Sequence, residues 1–204
     1  MVIGVDFDNT LICYDQAFHQ VARGEGLIQP GTPVTKRAVR DVVRQGPGGD
    51  LAWQRLQFQV YGPSIRQSRP APGAREFLAR CSREGIQVFL ISHKTEFASL
   101  DPGGTSLRQA ALDWLEAEAF FQGTALSPQA VRFGATRAEK LAHIREMGCT
   151  LFIDDLEEVF REPGFPAQVQ GILYAPDRER LTGLPGVTLA RSWTAVTDLV
   201  FHDA

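Results

Sequence analysis

Four apolar residues near the start of the chain, Val2-Ile3-Gly4-Val5, run straight into Asp6-Phe7-Asp8-Asn9-Thr10. Folding needs alone do not explain a strand that empties into two carboxylates. Side chains of an extended segment alternate between faces, so Asp6 and Asp8 share one side at the strand's C-terminal end, where open α/β sheets bind ligands. Two like charges that close repel, and each loses solvation unless a cation or a substrate compensates. A divalent cation is the usual solution. An oxygen-only ligand set suits Mg²⁺, which keeps several waters and is commonly shared between carboxylates and a substrate phosphate. Asp, Asn and Thr also form turns and caps well, so Asp8-Asn9-Thr10 reads equally as a turn that starts a helix.

Two further apolar runs end in polar residues. Residues 87–91 read as a buried strand leading to Ser92 and His93, and 150–153 as another leading to Asp154 and Asp155. Between them, Thr136-Arg137-Ala138-Glu139-Lys140 has the Thr-x-x-Glu spacing of a capping box, which puts Lys140 in the first turn of a helix through Leu141, Ile144 and Met147. A cation there opposes the helix dipole at a cost of about a few tenths of a kcal/mol, so the placement asks for a facing anion. Lysine is scarce in this chain: Lys36, Lys94 and Lys140 are three among 21 basic residues. Lys140 is therefore not the background of a lysine-rich composition, and its alternative reading is a solvated lysine on an exposed helical face.

Taken in order, Asp6-x-Asp8-x-Thr10, Ser92, Lys140 and Asp154-Asp155 resemble the four motifs of the haloacid dehalogenase (HAD) superfamily of phosphohydrolases and phosphotransferases. The similarity runs from residue 1 to about residue 160. One stretch departs from the pattern: Ser92 is followed by His93-Lys94-Thr95 where Asn or Gly is commoner. The resemblance implies a doubly wound, mainly parallel α/β sheet of the HAD-like, Rossmannoid kind, with the first strand central and a small helical cap inserted after it. It implies that Asp6 is the nucleophile, passing through an aspartyl-phosphate, and that Asp8 protonates the leaving oxygen and then takes a proton from water. Mg²⁺ is expected on Asp6, the main-chain carbonyl of Asp8, and Asp154, with Asp155 and Glu158 acting directly or through water. Ser92 and Lys140, with the backbone N–H groups of Phe7, Asp8 and His93, are expected around the phosphoryl oxygens.

The organisation of the chain agrees with an insertion. Between Asp8 and Ser92 lie 83 residues, whereas a strand, helix, strand crossover needs only about 30. Helices are predicted at 16–24, 35–45 and 51–59, separated by Pro30-Gly31 and Gly46-Pro47-Gly48-Gly49, with Pro70-Ala71-Pro72-Gly73 closing the insertion before a core helix at 74–84. The expected division is a catalytic core of 1–14 and 73–204 and a cap of 15–72. Residues 96–105 read as a loop, 106–119 as a helix, and 171–174 and 187–189 as two further strands.

Charge is unevenly divided. Residues 15–80 hold ten basic and five acidic residues, a net of +5 against −3 for the whole chain, which leaves −8 elsewhere. A positive lid over an acidic floor suits an anionic, metal-bound substrate; an arginine-rich solvated surface is the equal alternative. With an acidic balance and no basic stripe interleaved with aromatics, nucleic acid is disfavoured as a partner. No apolar run approaches the roughly 18–20 residues of a membrane span. No basic and apolar leader opens the chain, and Cys13, Cys81 and Cys149 are odd in number without metal-ligand spacing. They read as reduced thiols of a cytoplasmic protein, Cys81 and Cys149 in the core.

The expected activity is Mg²⁺-dependent hydrolysis of a small phosphorylated metabolite. A phosphotransferase or phosphomutase differs only in the acceptor of the phosphoryl group. A non-catalytic binding protein on this fold usually lacks the first Asp, and a receiver domain places its acidic pair in a different order and has no such insertion. The substrate is not specified by the motifs; His19, Arg23, Trp53, Arg55 and Tyr61 are candidate contributors, each also suited to a structural role.

Overall fold

The structure, a computed structural model, describes residues 1–201 apart from 102 and 182; Pro102, within the predicted loop 96–105, lies outside the described residues. In chain order the elements are β1 (Val2–Val5), β2 (Ile12–Cys13), α1 (Asp15–Gly24), α2 (Lys36–Gln45), α3 (Gly49–Tyr61), β3 (Arg69–Pro70), α4 (Ala74–Arg83), β4 (Gln87–His93), α5 (Leu107–Ala117), β5 (Val131–Gly134), α6 (Arg137–Glu146), β6 (Leu151–Asp154), α7 (Glu157–Arg161), β7 (Gln170–Tyr174), β8 (Val187–Ala190) and α8 (Trp193–Phe201). Short 3₁₀ turns lie at Ile65–Gln67 and Pro128–Ala130. No described helix is long and apolar enough to cross a membrane.

Two compact units divide the chain: Met1–Leu11, Pro70–Lys94 and Glu118–Ala204 form the first, Ile12–Arg69 and Thr95–Ala117 the second. The first is built on a six-stranded sheet ordered β5-β4-β1-β6-β7-β8, parallel throughout. Strands covered on both faces read as near-continuous apolar runs, which is why Val2–Val5, Val88–Ile91 and Leu151–Ile153 were legible. The helices divide between the faces. On one, Leu141 and Ile144 of α6 and Val159 and Phe160 of α7 join Ile91, Phe152 and Leu173 in a single cluster. On the other, Phe77 of α4 and Tyr174 of β7 meet Trp193 of α8, with ring centroids 5.1 and 5.5 Å apart. The Trp193 indole is satisfied by donating to the Thr10 carbonyl at 3.0 Å. This is the doubly wound, parallel α/β sheet expected, with β1 central.

Strand order reverses at β1: β4 lies on one side and β6 on the other, and the crevice at the carboxyl ends of such strands is where ligands bind in this architecture. The edge strand β5 was not foreseen. It brings the chain back beside β4, pairing Ser92 with Phe133 and His93 with Gly134.

The second unit is helical. Phe18 of α1 stacks on Trp53 of α3 at 4.9 Å between centroids, with Tyr14 and Tyr61 set edge-on around them. Thr35 caps α2 by accepting from the Ala38 N–H, and Asp15 accepts from the Lys36 N–H at 2.7 Å. The sequence division left 95–117 in the core, but Thr95–Ala117 clusters with the helical unit. The reason is Trp114: fully buried on α5, it donates its indole N–H to the Ser68 carbonyl at 3.3 Å. Among the proposed substrate contributors, His19 is buried with its ring nitrogen 3.0 Å from the Thr32 carbonyl, and Trp53 and Tyr61 belong to the aromatic cluster. Arg23 and Arg55 are exposed.

Gly134, at the end of β5, is required by a close approach. A Cβ there would lie 2.8 Å from the Lys140 nitrogen and 3.1 Å from the Thr136 carbonyl, both backbone atoms of the first turn of α6. Neither can swing aside as a side chain would. Gly134→Ala is expected to destabilise the protein by about 1–3 kcal/mol, the usual cost of overpacking, and to displace the turn that carries Lys140. An unchanged melting temperature would refute the tight fit.

Candidate active site

Three adjacent inner strands, β4, β1 and β6, deliver polar groups to the same end of the sheet. β1 delivers Asp6, whose N–H donates to the Ile153 carbonyl at 2.9 Å and so stays in the ladder with β6. β4 delivers Ser92, buried to 1% exposure. β6 delivers Asp154, fully buried, with Asp155 next. Asp6, Asp154 and Asp155 each contribute a carboxylate oxygen to a group lying within 4.8 Å of one another.

Lys140 enters this cluster from α6. The capping box forms as the spacing predicts, Thr136 Oγ1 accepting from the Glu139 N–H at 3.1 Å, while the Glu139 carboxylate reaches one residue further back, to the Ala135 N–H at 2.8 Å. This fixes the first turn and points Lys140 inward. Its side chain is 2% exposed, and Nζ lies 2.6 Å from both Asp6 Oδ1 and Asp154 Oδ2. The facing anion that the sequence called for is thus a pair of protein carboxylates, and the exposed-lysine alternative falls.

The Asp8 side chain turns away from this cluster. Both its oxygens lie against the Lys94 ammonium, at 3.1 and 3.0 Å, so the bond to metal that the resemblance implies for Asp8 is left to its main-chain carbonyl. Glu158 is exposed and outside the carboxylate cluster. His93 is also exposed; its Nε2 donates to the Ala135 carbonyl at 3.0 Å, tying the end of β4 to the turn before α6. Two residues of the site were missed from sequence. Asn9 adopts a left-handed backbone (φ 56°) and donates to Asp155 Oδ2 at 3.2 Å; asparagine is among the few residues that tolerate that conformation, and it stood within the first motif. Lys94 was signalled only by the departure from the common pattern after Ser92.

Burial and mutual repulsion dominate the electrostatics. Burial pushes the Asp6 carboxyl up, the Lys140 ammonium pulls it down, and Asp154 and Asp8 raise it again, leaving it at about 7. Asp155 is raised well above the carboxylate range by burial, then by Asp6 and Asp154. Burial pulls Lys140 down, but Asp154 and Asp6 outweigh it and hold the ammonium charged well above its ordinary value. Away from the site, burial pushes the Cys81 and Cys149 thiols up to about 12 and about 11. Both are core groups, as read from sequence, and Cys13 is half-buried.

The residues fit a hard divalent cation. Four carboxylates face two ammonium groups, a formal surplus of two negative charges. One buried oxygen, Asp154 Oδ2, has no aligned hydrogen-bond donor although Lys140 pairs with it ionically, while its partner Oδ1 accepts from the Leu156 N–H at 2.9 Å. An all-oxygen donor set with a surplus of negative charge suits Mg²⁺.

No sequence-family model matches the chain, and no curated protein matches it in sequence. Solved structures do match in fold. A HAD family hydrolase from Deinococcus radiodurans, described with bound phosphate and sodium, is 14% identical over 98% of this chain and 95% of its own, with a TM-score of 0.59. The putative HAD-hydrolase YfnB from Bacillus subtilis, bound to magnesium, is 10% identical over 98% of each chain at a TM-score of 0.55. Protein Tyrosine Kinase A of Mycobacterium tuberculosis is 15% identical over 98% of this chain and 97% of its own at 0.63. The chain therefore has the haloacid dehalogenase fold.

Two expectations follow from the buried charges. A first-turn lysine opposes the helix dipole, and on that basis its removal should leave the melting temperature level or slightly higher. The structure reverses the sign. Lys140→Ala leaves two buried carboxylates uncompensated, and breaking a buried ion pair costs on the order of 3 kcal/mol, so the metal-free variant should melt well below wild type at neutral pH and less so in acid. The second concerns Mg²⁺. With Asp6 raised from 3.8 to about 7, the folded metal-free protein holds a proton that the unfolded chain has released. That contribution to stability is complete below about pH 4 and lost as the pH rises through about 7. Because a cation must displace this proton, Mg²⁺ affinity measured by calorimetry should rise with pH to about 7 and then level off; a flat profile would contradict it.

Proposed function

We propose that the protein is a Mg²⁺-dependent phosphatase that hydrolyses a small phosphomonoester through an aspartyl-phosphate on Asp6. The observation that carries this is the buried Lys140, held 2.6 Å from both Asp6 and Asp154: an ammonium that favours the ionised nucleophile against the effect of burial and lies where the charge of a transferred phosphoryl group would fall. Phosphoryl transfer needs little covalent chemistry beyond positioning and charge neutralisation. That matches a fixed, desolvated set of acidic and cationic groups.

In this reading an Asp6 carboxylate oxygen attacks phosphorus and forms the O–P bond as the bond to the leaving oxygen breaks. The Asp8 carboxyl gives its proton to that oxygen, releasing an alcohol. Asp8 then takes a proton from water as the water attacks the aspartyl-phosphate, which frees inorganic phosphate and restores Asp6. Ser92 and Lys140 are assigned to the phosphoryl oxygens, helped by the N–H groups of Phe7, Asp8 and His93. Asp6, Asp154, Asp155 and the Asp8 main-chain carbonyl would hold Mg²⁺, which supplies charge neutralisation at the phosphoryl group. The helical unit is then the cap; with Thr95–Ala117 included it holds nine basic and eight acidic residues, so its net charge does not itself select an anionic substrate.

Fold neighbours carrying bound phosphate and bound magnesium agree with this reading. Another bears a tyrosine kinase name, which favours keeping a phosphotransferase as the second reading; the two differ in whether water or a hydroxyl accepts the phosphoryl group.

The test is release of inorganic phosphate from a panel of phosphomonoesters. EDTA should abolish turnover and Mg²⁺ restore it. Asp6→Asn should form no phosphoenzyme, and Lys140→Ala should lower kcat/KM by about a hundredfold or more. Full turnover without metal, or near wild-type turnover in Asp6→Asn, would overturn the proposal. Phosphate transferred to a hydroxyl with none released would favour the second reading.

A further inference from the structure

The phosphatase reading uses one of the two lysines buried among the sheet unit's carboxylates. Lys94 is the other, and nothing in that mechanism calls for it. It stands immediately after β4, where its N–H donates to the Gly134 carbonyl at 2.9 Å and extends the pairing with β5. Its side chain is 3% exposed, so a long, strongly hydrated cation has been taken almost wholly out of water, which is costly without compensation. Compensation comes from Asp8, both of whose oxygens lie within 3.1 Å of Nζ, and from the Phe7 ring, whose centroid is 5.4 Å away.

We propose that Lys94 is a positioning residue that holds the Asp8 carboxylate apart from the metal cluster and aimed at the leaving-group oxygen. The inference rests on the phosphatase reading. Exposure supports the division of labour: the Asp8 side chain is 25% exposed while Lys94 is 3%. The lysine braces the carboxylate on its buried side, and the accessible side is left for a substrate atom. An ammonium so enclosed is not itself a substrate-binding cation.

The need for a brace comes from the neighbouring residues. Asp6 and Asp8 leave the same strand end, and Asp6, Asp154 and Asp155 already converge within 4.8 Å. A carboxylate side chain on the turn after β1 has two ways to spoil the chemistry: swinging in as a fourth anionic ligand, or swinging out into solvent. Lys94 opposes both with one contact. Lys140 then serves the nucleophile together with Asp154, and Lys94 serves the proton carrier.

A positioning role is separable from a general folding defect by substrate chemistry. A nitrophenolate leaves without a proton, whereas an alkoxide needs one, and kcat/KM covers only steps up to formation of the phosphoenzyme. Lys94→Met, nearly isosteric and uncharged, should lower kcat/KM for glycerol phosphate about tenfold or more, while that for p-nitrophenyl phosphate changes by less than about threefold. In an Asp8→Asn background, where no carboxylate remains to be aimed, adding Lys94→Met should have little further effect on glycerol phosphate. Equal losses on both esters, or full additivity with Asp8→Asn, would overturn the proposal. Should Lys94→Met alone fail to fold, Lys94→Gln takes its place with the same two criteria. Hydrolysis of p-nitrophenyl phosphate by wild type and its loss in Asp6→Asn report on the phosphatase reading separately, so the two failures cannot be confused.

Discussion

The sheet unit is organised around the problem of keeping like charges together. Asp6, Asp154 and Asp155 converge at one end of a parallel sheet, two of them with 4% exposure or less, where water cannot screen them. In a low-dielectric interior a pair of unit charges a few ångströms apart interacts by several kcal/mol, comparable with the whole stability of a domain. Lys140 is what makes the arrangement tolerable in the absence of a cation, since one ammonium touches two of the three carboxylates at 2.6 Å. Almost every other feature of this end of the sheet serves to bring Lys140 there: the Thr136 cap, the glycine at 134 that lets β5 and α6 approach, and the packing of Leu141 and Ile144 against the sheet face.

Much of this was legible in the sequence because its signals are local. Strands buried on both faces declare themselves as apolar runs, and the residues that end them were read as site residues without knowing where the strands lay. The capping box placed Lys140 in the first turn of α6, where its charge asked for an anion, although its inward aim came only with the structure. What was not legible depends on contacts between distant residues. β5 is a four-residue edge strand with Arg132 in its middle and lacks the continuous apolar run of the inner strands; it is held by its pairing with β4. The placement of Thr95–Ala117 turns on Trp114 finding Ser68, 46 residues away. Lys94 was visible as an oddity beside Ser92, but its meaning lies in an aspartate 86 residues earlier.

The helix-dipole argument for Lys140 shows why magnitudes matter. The local rule is sound: a cation in a first turn is disfavoured, by about a few tenths of a kcal/mol. It identified a residue that wanted an anion. It could not give the sign of the stability effect, because a buried contact with two carboxylates is an interaction larger by roughly an order of magnitude. A weak, short-range rule thus located the residue, and a strong, long-range interaction set its energetics.

Relief by movement is also closed to these carboxylates, and this gives the site its chemical character. The Asp6 N–H is held in the β1–β6 ladder, Asp154 Oδ1 is held by the Leu156 N–H, and Asp155 is held by Asn9, itself in a left-handed conformation that turns the chain after β1. A backbone in that region typically costs about 1 kcal/mol or more unless its surroundings over-determine it, and here the side chain that tolerates the turn also restrains a carboxylate. Each acid is thus positioned by a separate element with its own reason to stay. Repulsion that cannot be released by rotation or drift is released only by taking up positive charge, as protons when no cation is bound or as a cation held in fixed geometry. A site built this way reorganises little when charge develops within it, and electrostatic catalysis depends on that property.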